Sequence, residues 1–273
     1  YYSDTDYDNI FILNKNPIYK LNRIRRWGFK NEKEAIEQSK LQKKYNKKMA
    51  ILLYGISYDE KLLHFNKKLY LINYKKSLDN YKNILINYFK NLNYSIDIFI
   101  CTNDNLLKKD LIKDYAPVDY LFVKDDKNEF NNYNNFKNDM KYPERYYYTN
   151  TKKLKVLELT LEYSKKNKIY YDNIILTRFD LNFNIPFNEV SICYGMFNII
   201  SMLESNTLVD DNFYLFPGSN LQKVIKIIRD NLNLWGHGLK ELLKNNFDIN
   251  YILNENKNVK YLSFYSIVRN EIN

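Results

Sequence analysis

Asn173-Ile174-Ile175-Leu176-Thr177-Arg178-Phe179-Asp180-Leu181-Asn182-Phe183 is an apolar run of strand length that ends in one cation and one anion, then resumes before Pro186. Charges at the end of a buried strand are costly unless something answers them. In open α/β sheets, the carboxyl edge of the strands is where ligands bind. Arg178 and Asp180 therefore have two readings, a ligand-binding pair or a buried ion pair that closes a strand.

Working outward, strands and helices alternate. Residues 49–54 form a short apolar strand ending at Gly55, and Tyr74, Leu78, Tyr81, Leu85, Tyr88 and Leu92 recur at helical spacing. A strand at 96–101 follows, then a short helix that stops before Pro117, then a strand at 120–123. Residues 125–150 are Asn-rich and irregular, a helix is expected at about 152–166, and the quoted strand comes next. Further strands fall at 196–202 and 213–216, and a helix carries Leu221, Val224, Ile225, Ile228 and Leu232 on one face. Trp235-Gly236-His237-Gly238 breaks the pattern before a last helix through Asn246, and the tail 251–268 is strand-prone. Crossovers of this length predict an α/β fold, with a mostly parallel central sheet flanked by helices and an antiparallel extension. No internal repeat is present.

Residues 1–48 differ in texture and are expected to form an N-terminal arm and helix, with 49–273 as the main domain. Asp4, Asp6 and Asp8 alternate with aromatics, Arg23, Arg25, Arg26 and Lys30 surround Trp27, and Asn31 suits an N-cap. Anchoring and self-association, including a homodimer, are both open for this arm.

The 273 residues carry a formal charge of +10, which suits an anionic partner, although the lysines are scattered over polar helix faces. Aromatics reach 16%, including 27 tyrosines, and with the abundant Asn, Ile and Lys they look like the imprint of an AT-rich genome. Cys101 and Cys193 lack metal-ligand spacing and are read as reduced core thiols, which suits a cytoplasmic setting. No apolar run approaches the length of about 18 residues that spans a bilayer. The opening Tyr-Tyr-Ser-Asp has no leader pattern, and its lack of Met suggests a trimmed piece.

There is no Walker loop, Gly-rich dinucleotide fingerprint, paired-His zinc helix or Gly-x-Ser-x-Gly elbow. With six glycines in all, backbone cradling of phosphates is not expected. Four segments, in order, carry a resemblance. They are Ile51-Leu52-Leu53-Tyr54-Gly55-Ile56-Ser57, Asp97-Ile98-Phe99-Ile100-Cys101-Thr102, Thr151-Lys152-Lys153-Leu154, and the strand ending in Arg178-Phe179-Asp180. Residues 49–246 resemble a GT-A-fold (Rossmann-like) glycosyltransferase, in style similar to versions encoded by large DNA viruses.

The resemblance implies hexosyl or N-acetylhexosaminyl transfer from a nucleotide-sugar, a UDP-sugar first, to a glycan or glycoprotein acceptor. It implies Mn²⁺ or Mg²⁺, with Asp180 and His237 as metal ligands. Tyr54, Gly55, Ser57, Thr102, Lys153, Arg178 and Asp180 would bind the donor, and Asp210 or Asp211 would serve as the catalytic base. For a viral version the setting would be the host cytoplasm or the virion. The chain departs from the family at its signature, where two Asp residues one apart are usual and the first is Arg178. That puts strict metal dependence in question, since a guanidinium also matches phosphate oxygens. His64 is read as structural. A catalytically degenerate nucleotide-sugar or glycan binder is the first alternative. A basic nucleic-acid-binding module ranks below it, because no nucleic-acid motif is present and no nucleic-acid partner is expected.

Overall fold

In the computed structural model, the described residues are 47–63, 69–132, 143–201, 209–232, 242–252, 264–268 and 270–272. Almost all of the 1–48 arm, together with His64, therefore lies outside them. The strands are β1 (Lys47–Gly55), β2 (Tyr58–Leu63), β3 (Leu69–Asn73), β4 (Tyr94–Asn103), β5 (Asp119–Val123) and β6 (Asn173–Arg178). They continue as β7 (Leu181–Phe183), β8 (Phe197–Ser201), β9 (Val209–Pro217), β10 (Ile249–Ile252), β11 (Tyr265–Ile267) and β12 (Asn270–Ile272). Helix α1 runs through Lys75–Asn80, a π-helical stretch Tyr81–Ile86, and Asn87–Asn91. The other helices with labels are α2 (Lys108–Tyr115), α3 (Lys127–Asn131), α4 (Pro143–Asn167) and α5 (Leu221–Arg229).

β1 is apolar along its length because it lies inside a seven-stranded sheet of order β10-β8-β9-β6-β1-β4-β5. It pairs in parallel with β4 and β6, and β4 with β5, while β9 is antiparallel to both β6 and β8. Side chains on successive β1 residues feed two separate cores. Met49, Ile51 and Leu53 pack with Tyr81, Leu85 and Leu111 from α1 and α2, whereas Ala50, Leu52 and Tyr54 pack with Leu157 and Val224 from α4 and α5. The mostly parallel sheet, helical cover on both faces and antiparallel extension are as the sequence predicts.

Four features differ from the sequence expectation. Helix α4 begins at Pro143 rather than near 152, since proline is well suited to a first helical turn, where its missing N–H is not needed. The polar segment after Gly55 is a hairpin, β2–β3, extended by β12 from the chain's far end. The quoted strand is two strands: β6 stops at Arg178, and β7 leaves the main sheet to pair antiparallel with β11. Finally, the helix through Tyr81 is π-wound in its middle, a local adjustment that periodicity does not reveal.

The aromatic excess forms much of the core. Phe183 packs edge-on to Tyr81 at 5.3 Å, Phe187 at 5.2 Å, Phe213 at 5.7 Å and Phe264 at 5.6 Å between centroids. Such pairs contribute about 0.5–1.5 kcal/mol each beyond burial. No helix among the described residues is long and apolar enough to cross a membrane.

Two outcomes follow for this scaffold. Gly218, after β9, donates its N–H to Asp172 O at 2.9 Å, and a Cβ there would stand 1.8 Å from the Tyr171 carbonyl oxygen. Gly218→Ala therefore lowers unfolding free energy by about 3 kcal/mol, measured by urea titration. Cys101 is unbridged and buried, and burial, opposed by Lys152 and Lys155, pushes its thiol up to about 12 from 9.0. Between those values the unfolded chain loses a proton that the folded chain keeps, so this group's contribution falls as pH rises through that window. Iodoacetamide should accordingly modify Cys101 only as fast as the chain unfolds.

Candidate functional site at the carboxyl ends of β1 and β6

The chain leaves β1 toward β4 and β5, then returns to β6 on the other side of β1. This reversal makes the region beyond the carboxyl ends of β1 and β6 a topological switch point, the place where open α/β sheets form their ligand-binding crevice. Tyr54 and Arg178 are in register as neighbours at the carboxyl ends of these two parallel strands.

The turn after β6 is held from outside the sheet. Ser77 Oγ donates to the Phe179 carbonyl at 2.5 Å, and Tyr81 OH donates to the Arg178 carbonyl while lying 3.3 Å from Thr177 Oγ1. Asn80 donates to the Phe183 carbonyl at 2.9 Å and accepts from the Phe183 N–H at 2.7 Å. Positions 77, 80 and 81 share one face of α1, so a single helix ties down both sides of the turn. Burial holds the Tyr81 hydroxyl well above the usual phenol range, which keeps it a neutral donor. From the other side, the Val268 N–H donates to the Asp180 carbonyl at 2.8 Å.

Within this frame Arg178 and Asp180 form a fork. Arg178 Nε donates to Asp180 Oδ1 at 2.8 Å, and Nη2 donates to Oδ2 at 2.5 Å. Nη1 donates to Asn212 Oδ1 at 3.0 Å, and Asn212 Nδ2 donates to Tyr265 OH at 2.8 Å. The Arg178 side chain is 18% exposed and that of Asp180 only 3%. Both carboxylate oxygens face a guanidinium and little of the group meets solvent, so this donor set does not fit a divalent cation as it stands.

The other candidate residues are distributed unevenly. Lys153 lies well inside α4 rather than at a helix start, and it is buried. Its Nζ sits 5.2 Å from the Tyr54 ring centroid and 5.6 Å from that of Tyr214, on the α4 side of the sheet. Tyr54 is itself buried, so its ring packs in the core rather than lying open for a base to stack on. Gly55 has φ +103°, a left-handed conformation that favours glycine, where β1 turns away.

Ser57 and Thr102 are both buried and bond each other: the Ser57 N–H donates to Thr102 Oγ1 at 3.1 Å, and Thr102 Oγ1 donates to Ser57 Oγ at 3.0 Å. Asn105 Nδ2 adds a bond to Ser57 Oγ at 3.0 Å. These groups tie the loops after β1 and β4 together. Asp210 and Asp211 lie on β9, whose amino end meets the carboxyl end of β6; their side chains, like all of His237, fall outside the described residues. Among the described residues, no three His, Cys, Asp or Glu converge on one point.

Sequence reasoning read Tyr81 only as part of the apolar face of its helix and missed Ser77, Asn80, Asn212 and Tyr265. The first two of these were detectable as polar groups beside that face. The last two carry no local signal, because their role depends on which strands meet.

No protein-family profile matches the sequence, and no curated protein matches it. Among solved structures, the apo form of the glycosyltransferase GlyE from Streptococcus pneumoniae TIGR4 is similar, with a TM-score of 0.36 and 10% identity. That match covers 76% of this chain and 45% of GlyE, so the chain spans less than half of that protein's length.

The closed fork has a stability signature. Asp180→Ala, which strands a partly buried guanidinium, costs about 3 kcal/mol, whereas the double variant Arg178→Met/Asp180→Leu recovers most of the loss. Urea denaturation of the three proteins measures the difference.

Proposed function

We propose that this chain is a nucleotide-sugar-dependent glycosyltransferase of the GT-A type, with the donor diphosphate lying across the carboxyl ends of β1 and β6. The observation that carries this reading is the switch point itself, where a cation, Arg178, is fixed at the mouth of a mostly parallel sheet. Diphosphates suit such a place, because a planar guanidinium matches phosphate oxygens and this one is only partly exposed to solvent.

In this proposal Arg178 stabilises charge that develops on the leaving diphosphate. Asp211, or Asp210 beside it, takes the proton of the acceptor hydroxyl as that hydroxyl attacks the anomeric carbon. Their place is suggested by Asn212, the next residue on β9, which contacts Arg178 directly. Lys153, buried behind Tyr54, adds positive potential on the same face of the sheet. A UDP-sugar is the proposed donor and a glycan or glycoprotein the proposed acceptor.

A second reading is supported by the closed Arg178–Asp180 fork: a protein that binds a nucleotide-sugar or glycan without turning it over. Asp211→Asn and Asp210→Asn separate the two. If the chain is a transferase, one of them lowers transfer or donor hydrolysis about 100-fold or more while UDP still raises the melting temperature saturably. A wild-type protein that binds UDP-sugars and shows no turnover with any acceptor supports the binding reading instead.

A further inference from the structure

We infer that Arg178 replaces the divalent cation as the charge that receives the ligand's diphosphate, and that Asp180, Asn212 and Tyr265 are positioning residues for it. This rests on the nucleotide-sugar reading above. At 18% against 3% exposure, a ligand arriving at the crevice meets the guanidinium and not the carboxylate. Asp180 presents both oxygens to Nε and Nη2, so using it as a metal ligand means breaking that fork beside a fixed positive charge.

The guanidinium is also built to stay in one place. Asp180 fixes one edge of its plane, and Asn212 Oδ1 holds Nη1 from β9. Tyr265 OH accepts from the Asn212 amide and so turns its oxygen toward Arg178. Three separate segments, the turn after β6, β9 and β11, thus converge on a single cation. Its backbone is fixed in turn by Tyr81 of α1. A permanent, pre-oriented charge of this kind binds phosphate oxygens without a metal to bridge them.

The test is calorimetric titration of the full chain with UDP, and separately with inorganic pyrophosphate, in EDTA and again in excess Mn²⁺. The expected result is UDP and pyrophosphate binding whose affinity changes by less than about twofold on adding Mn²⁺. Arg178→Lys, which keeps the charge and loses the fork, weakens UDP binding about tenfold or more in EDTA. Arg178→Asp restores two carboxylates one residue apart, and it should bind UDP only when Mn²⁺ is present. Tyr265→Phe weakens UDP binding severalfold with little change in melting temperature, which a purely structural role would not produce.

Wild-type binding that requires Mn²⁺ overturns this inference and leaves the proposed function standing. The absence of UDP and pyrophosphate binding under both conditions overturns both. Folding of each variant is checked by circular dichroism; if Arg178→Asp does not fold, Arg178→Lys decides, and a folded Arg178→Lys protein with wild-type affinity overturns the inference.

Discussion

A guanidinium and a carboxylate placed two residues apart at the end of a buried strand create a demand that the whole domain helps to meet. The pair neutralises itself through a two-bond fork, but the turn that makes the fork possible exposes three backbone carbonyls at the rim of the sheet. Each carbonyl left without a donor in that setting would cost about 1–3 kcal/mol. Ser77, Tyr81 and Val268 supply the donors, from an early helix and from the chain's final segment. The fork therefore links parts of the sequence that are far apart.

Two abundant residue types find uses in this structure. Part of the tyrosine and phenylalanine excess gathers around Phe183 and Phe187, just beyond the turn, where Phe183 meets Tyr81, Phe213 and Phe264 edge to face and Tyr88 stacks on Phe187. Asparagine does a second job. Asn80, Asn105, Asn173 and Asn198 each use an amide to satisfy backbone or side-chain groups, with Asn198 alone bonding the Cys193 N–H, the Cys193 carbonyl and the Leu215 carbonyl. An amide side chain offers the same donor and acceptor as a peptide group, so it substitutes for missing strand partners where loops run beside the core.

Two cations lie near the carboxyl end of β1. On the α4 side, Lys153 is buried between two tyrosine rings; at the sheet's edge, Arg178 keeps part of its surface open to solvent. In the proposed function, a cation within the core and one at the mouth together attract the donor's diphosphate. Of the residues expected to bind the donor, Tyr54, Ser57 and Thr102 are spent on packing and on joining two loops. Binding by positioned charge agrees better with these contacts than binding by hydrogen-bonded base recognition.

The amino-acid sequence by itself determined the alternation of strands and helices, the burial of β1, β4 and β6, and the position of the two charges at a strand end. All of these follow from local periodicity and from the cost of burying ions. It could not reveal that β7 departs for another sheet, or that Asp180 grips Arg178 with both oxygens. Those outcomes depend on partners more than a few residues distant in sequence or on a side-chain rotamer, neither of which leaves a periodic trace. Whether Arg178 and Asp180 lie side by side or point to different neighbours is decided by the pairing of β9 with β6 and of β11 with β7, which brings Asn212 to the guanidinium and Tyr265 to Asn212.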